Sequence, residues 1–216
     1  MCWGIKFIAD NPSCQTRLRE SLRSAHASAV AEGRAPTHVE IVQTSVPYLE
    51  AVAEEMLRLA HTAPIQERQA KEDTVVLGHL IPKGTNVLIA NKGASFTEPP
   101  FDIPEPLRST SCQTAAKERG PRAWDLEGMD KFQPERWLVR TETGEETFDS
   151  SAGPTIPFGL GLRGCFGRRL AYMELKLLVT LMVWTFEFLP CPKELSSYEN
   201  IEGLTRKAEQ CYVSLK

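Results

Sequence analysis

A ten-residue stretch, Phe158-Gly159-Leu160-Gly161-Leu162-Arg163-Gly164-Cys165-Phe166-Gly167, leaves this chain few structural options. It places four glycines, an arginine and a thiol directly ahead of a segment that reads as a long apolar helix, Arg168 to about Phe186. A phosphate-binding P-loop is excluded, because no Lys-Ser/Thr pair follows the glycines. A dinucleotide fingerprint requires a buried strand ahead of the loop, whereas Gly153 to Pro157 contains two prolines. A thiol at a helix start remains. The free N–H groups and positive dipole end there favour the thiolate form of Cys165. The glycines permit φ > 0 and a close approach of backbone to a large flat ligand. Arg163 can make bidentate, charge-assisted bonds to a carboxylate. On these residues alone, Cys165 also reads as a hydrophobic cysteine packed at a helix start.

The rest of the chain predicts a mainly helical protein with small β hairpins, an α+β fold. Met1 to Ala9 reads as the tail of a helix ending at Asn11, and Pro12 suits the first position of the next. Leu18, Leu22, Ala25 and Ala29 mark its stripe, and Gly33 ends it. Thr37 with Glu40 fits a capping box. After Pro47, the steps Leu49, Val52, Ala53, Met56 and Ala60 predict a helix that Pro64 closes. From Thr74 to Ala90 the pattern predicts a hairpin turning at Pro82-Lys83-Gly84. Residues 91–125, rich in Pro, Gly, Ser and charge, read as a surface insertion. A short strand is expected at Gln210 to Leu215.

With 42% hydrophobic and 25% charged residues among 216, composition excludes a disordered, collagenous or disulfide-stapled chain. A net charge of −3 with no basic stripe gives no basis for nucleic-acid binding. Six cysteines without a CxxC pair read as reduced thiols, and the four histidines show no ligand spacing. The run Leu177 to Phe186 is ten residues long, a core helix rather than a membrane span. The chain opens directly on helical apolar residues, as if in the middle of a larger fold.

The glycine-cysteine stretch resembles the haem-binding signature of the cytochrome P450 monooxygenases, with Phe158, Gly159, Gly161, Arg163, Cys165 and Gly167 at the matching positions. Glu55-Met56-Leu57-Arg58 looks like that family's ExxR motif, and Pro134-Glu135-Arg136-Trp137 like its PERF/PERW segment. Spacing alone would make Glu55 and Arg58 a solvated i,i+3 pair of a few tenths of a kcal/mol. The resemblance implies instead a buried triad of Glu55, Arg58 and Arg136. It further implies haem b as cofactor, Cys165 as the axial iron ligand and Arg68 as a second partner for the haem propionates. Thr62 and Ala63, beside His61 and Pro64, would line the substrate pocket, as would Leu204 and Thr205.

The implied chemistry is insertion of one oxygen atom from O2 into a small organic substrate, in the manner of fungal secondary metabolism. Electrons would come from an NADPH-dependent reductase. A thiolate below haem iron favours O–O cleavage. The resemblance covers the C-terminal half of the family fold, so residues 1–216 correspond to a partial domain. Its acid–alcohol pair for proton delivery would lie upstream of Met1, and no catalytic residue is assigned within the chain. Full-length relatives sit on the endoplasmic reticulum facing the cytosol, although this chain shows no anchor of its own. Two alternatives stand beside this reading: a non-catalytic haem-binding fragment, and a cysteine enzyme. The second lacks a base near Cys165, where Arg163, Arg168 and Arg169 are the local candidates.

Overall fold

The computed structural model describes residues 1–119 and 126–216. Helix α1 (Cys2–Asp10) leads into α2 (Pro12–Ala25), with Pro12 in its first turn, and then into the short α3 (Ala27–Ala31). Gly33 adopts φ +65°, and its N–H closes the end of α3 on the Val30 carbonyl. Helix α4 (His38–Gln43) opens on the expected capping box, with Thr37 and Glu40 bonded reciprocally. Helix α5 (Pro47–Ala60) stands at the centre. Eleven of its fourteen residues are buried, against α1, α2 and the last long helix, α7 (Arg168–Thr185). Leu18, Leu22, Leu49, Val52, Val179, Val183 and Phe188 form the heart of the core. Each such aliphatic or aromatic side chain contributes about 1.5–3 kcal/mol on burial. Where α1 crosses α5, a Cβ on Gly4 would fall 2.5 Å from Met56 Sδ, so the absent side chain sets the approach of the two helices.

Two helical expectations need correction. The stripe Leu18, Leu22, Ala25, Ala29 breaks at its third member: Ala25 is exposed and His26 is buried instead. The backbone leaves the helix at His26 (φ −115°, ψ 44°), which turns the imidazole edge-on to Trp184. Helix α5 ends at Ala60 rather than running to Pro64, because His61 takes a left-handed conformation (φ 44°) and caps it.

The strands form antiparallel pairs. β1 (Ile65–Gln69) pairs with β4 (Asn86–Ala90), and β2 (Thr74–Val76) pairs with β3 (His79–Ile81). The predicted hairpin is therefore wrong in its partners. The Pro82-Lys83-Gly84 turn exists, with the Thr85 N–H on the Pro82 carbonyl, but it delivers β4 to β1. Leu77-Gly78, both at φ > 0, makes the tight turn between β2 and β3. β1 carries no strand signal in the sequence, because Ile65-Gln66-Glu67-Arg68-Gln69 has almost no apolar face. Further pairs are β5 (Leu138–Arg140) with β6 (Glu146–Phe148), and β8 (Asn200–Ile201) with β9 (Lys207–Ala208). The expected C-terminal strand contracts to β10 (Ser214–Leu215), paired with β7 (Phe188–Leu189).

The segment read as an insertion from residue 91 begins inside the core. Asn91 is buried, and the Phe96 carbonyl accepts from Arg58. Its middle contains the exposed helix α6 (Thr110–Arg119), and its last six residues lie outside the described ones. None of the six cysteines is disulfide-bonded, and no helix among the described residues is long and apolar enough to cross a membrane.

Candidate functional site

The glycine-rich stretch folds as a tight finger in front of α7. Gly159 and Gly161 both take φ +66°, a conformation that carries a steric cost for residues with a Cβ. A Cβ on Gly159 would also stand 3.0 Å from Gln66 Oε1. Gly161–Arg163 makes a 3-10 turn, and the Cys165 N–H closes the finger on the Phe158 carbonyl at 2.7 Å. Gly167 caps α7, and a Cβ there would lie 3.8 Å from Cys165 Sγ. Cys165 is exposed at the start of an 18-residue helix, not packed in the core. Its hydrophobic-packing alternative fails on that observation. The buried cysteine, Cys14, does behave so: burial pushes its thiol up to about 11.

Cys165 opens onto a cavity of about 550 Å³ between the finger, α7 and β1. Its walls include Leu57, Phe158, Ala171, Leu175 and Leu178, with Arg68 and Arg163 at its polar parts. Thr62, Ala63 and Gly159 line the same cavity. Arg68 donates to the Glu67 carbonyl (2.8 Å) and to Gln66 Oε1 (3.4 Å), leaving its charge without a carboxylate among the described residues. Leu204 and Thr205 are exposed and outside the cavity lining. They are tethered beside it, since the Arg206 N–H donates to the Thr62 carbonyl at 2.9 Å.

Gln66 was not singled out from the sequence, yet it joins β1 to the finger. Its amide donates to the Ile156 carbonyl (3.1 Å) and reaches Asn91 Oδ1 (3.4 Å). Asn91 in turn donates to the Ala63 carbonyl at 2.8 Å. A polar residue alternating along a short exposed-looking strand gave no signal for this role.

Behind the finger, Glu55 and Arg58 form a buried bidentate pair at 2.7 Å, with side chains at 0% exposure. Arg58 also donates to the carbonyls of Phe96, Met129 and Lys131. Glu55 also accepts from the Gln133 N–H (3.0 Å) and the Trp137 indole (2.9 Å). Solvation, the reading from spacing alone, is overturned. The third member differs from expectation. Arg136 donates to the carbonyls of Glu127 and Gly128 and to Gln133 Oε1, while Trp137 meets Glu55. The 3-10 turn Pro134–Trp137 explains the exchange, because it rotates successive side chains by about 120°. Trp137 points inward, and Arg136 points to the loop that precedes the turn. Next to the pair, Glu54 is also buried and accepts from the Tyr172 hydroxyl at 2.6 Å; burial raises its pKa. This ties α5 to α7 one turn beyond the finger.

This chain belongs to the cytochrome P450 family, whose profile matches residues 1–105 and 121–214. The match is thus interrupted within the segment read as an insertion. Among its relatives, the cytochrome P450 monooxygenase TRI13 of Fusarium sporotrichioides is 51% identical over 99% of this chain and 38% of its own length. The Hps1-dma1 cluster cytochrome P450 monooxygenase cyp3.1 of Dothistroma septosporum is 39% identical over all of this chain and 71% of its own. Human mitochondrial sterol 26-hydroxylase is 27% identical over 93% of this chain and 32% of its own, so family membership fixes no single compartment. The chain spans 38% of the Fusarium relative's length.

Proposed function

We propose that this chain carries the cofactor-holding part of a haem-thiolate monooxygenase of fungal secondary metabolism. The observation that carries the reading is an exposed thiol on an apolar cavity that also holds Arg68 and Arg163. The residues fit haem b: a soft sulfur ligand, apolar walls for the ring, and two guanidiniums for its carboxylates. Bound through Cys165, haem would supply activation of dioxygen. The bond between the Cys165 N–H and the Phe158 carbonyl fixes the loop that carries the sulfur at the start of α7. Gly159 and Gly161 keep the finger free of side chains where the ring would lie. Leu57, Leu175 and Leu178 exclude water from that surface.

Thr62 and Ala63, with Leu204 and Thr205 tethered beside them, form the side from which a small organic substrate would approach. Electrons would come from an NADPH-dependent reductase.

Reconstitution with haem, reduction and addition of carbon monoxide tests the reading. We expect the red-shifted Soret band of a thiolate complex, lost in Cys165→Ala. No haem uptake, or a spectrum unchanged by Cys165→Ala, sinks it. A haem-binding unit without turnover is the second reading. It gives the same band but no dioxygen-dependent product when reductase and NADPH are added.

A further inference from the structure

Two of the free cysteines meet although they stand far apart in the chain. Cys2 is exposed at the first position of α1, and Cys211 is half-exposed between β9 and β10. The Cys211 thiol donates to the Cys2 carbonyl at 3.3 Å, across 209 positions of sequence. A carbonyl oxygen lies within about 2.8 Å of its own Cα, which puts the Cys211 sulfur no more than about 6 Å from the Cys2 Cα. The two thiols also act on each other directly. Burial first, and then the Cys2 thiol beside it, push the Cys211 thiol up to about 11.

Residues 196–199 hold both partners in place. Toward α1, Lys6 donates to Ser196 Oγ at 2.5 Å and the Tyr198 hydroxyl donates to Asp10 at 2.6 Å. The Tyr198 ring stacks on that of Trp3, next to Cys2, at 6.2 Å. Toward the other cysteine, the Glu209 N–H donates to the Glu199 carbonyl and the Ser197 N–H to Gln210 Oε1, each at 3.0 Å. The approach of the two sulfurs is therefore set by the fold and not by two loose ends. Thiol oxidation starts at the sulfur that an oxidant can reach as thiolate, and the exposed one is Cys2. Cys211, less exposed and held as the thiol, is suited to act second.

We propose that Cys2 and Cys211 form a redox-active dithiol that hydrogen peroxide converts to a disulfide. The Cys2 thiolate attacks one peroxide oxygen: an S–O bond forms, the O–O bond breaks, and the departing hydroxide takes up a proton as water. The Cys211 sulfur then attacks the Cys2 sulfenic sulfur: the S–S bond forms, the S–O bond breaks, and the second hydroxide leaves with the Cys211 proton as water. Two thiols together lose two electrons and two protons, and one peroxide becomes two waters. The link fastens the start of α1 to the C-terminal strands beside Met1, which lines the Cys165 cavity. The pairing does not depend on haem in that cavity.

Peroxide treatment of the reduced chain, followed by digestion and peptide mass spectrometry, tests this. The expected product is one crosslinked pair carrying Cys2 and Cys211, lighter by two hydrogens than the free peptides and released by dithiothreitol. The oxidised chain should melt about 5–15 °C higher than the reduced one, as closure of so long a loop predicts. Cys211→Ser should lose that rise and accumulate Cys2 sulfenic acid, trapped by dimedone. The crosslink in the wild-type chain reads the pairing even if the variant fails to fold. In urea the pairing should scatter over all six cysteines. Cys2 linked chiefly to another cysteine overturns the proposal, as does Cys2 oxidised to sulfinic acid while Cys211 stays reduced. A Cys2–Cys211 yield that is the same in urea also overturns it, because chance collision would then make the bond.

Discussion

Replacing Arg58 by Met, a side chain of similar length, removes the cation from a densely hydrogen-bonded, fully buried polar cluster. The guanidinium gives two bonds to Glu55 and three to the carbonyls of Phe96, Met129 and Lys131. Its loss leaves a fully buried carboxylate with two remaining donors, the Gln133 N–H and the Trp137 indole. Removing one partner of a buried pair costs about 3–5 kcal/mol, and the stranded carbonyls push toward the upper end. A domain's whole stability is about 5–15 kcal/mol, so the variant should sit near the edge of folding. Urea unfolding followed by far-UV circular dichroism reads this as a large fall in midpoint with little change in slope. Adding Glu55→Leu to Arg58→Met should recover part of the loss by removing the stranded charge, but not all, because the three carbonyls still lack donors. A loss below ~1 kcal/mol for the single variant, the size of a surface pair, would refute the view that burial gives this pair its weight.

Burial holds the His61 imidazole neutral and lowers its pKa from 6.5 to about 4, with an Asn91 backbone hydrogen bond pulling the other way. The unfolded chain therefore binds a proton that the folded chain refuses, so its contribution is intact above pH 6.5 and falls as pH drops toward 4. In paired unfolding titrations, wild type should lose stability relative to His61→Asn by up to ~1.4 kcal/mol per pH unit within that window; parallel curves would rule this out. Gly159→Ala meets both φ +66° and a 3.0 Å approach to Gln66 Oε1. It should lower stability by about 1–2 kcal/mol and weaken haem uptake, whereas an unchanged melting temperature would show that the finger relaxes freely.

The helices were legible where their signals are local. Pro12 and Pro47 at first turns, the Thr37–Glu40 box and the three- and four-residue steps of α5 act within one or two turns of chain. The same local logic failed at His26, where a bend moves burial one residue along, and at β4, whose partner lies about twenty residues back. Pairing of strands depends on what else the strand can reach. Val75 and Leu80 look like core residues by type yet are exposed. β1, nearly all polar, is the strand that borders the cavity.

Cys165, its glycines and the helix behind it lie within thirty consecutive residues, and backbone preferences at that range are written directly in the residue types. That is why the thiol's position at a helix start is legible in the sequence alone. The character of Glu55 and Arg58 could not be, because a surface pair and a buried one have the same spacing. Folding distinguishes them by bringing Phe96, Met129, Lys131, Gln133 and Trp137 around them. The stacking of Arg206 on Trp3 joins opposite ends of the chain, and no pattern of neighbours announces it. Propensity acts over a few residues, whereas desolvation and counter-charge are properties of whatever the whole fold packs together.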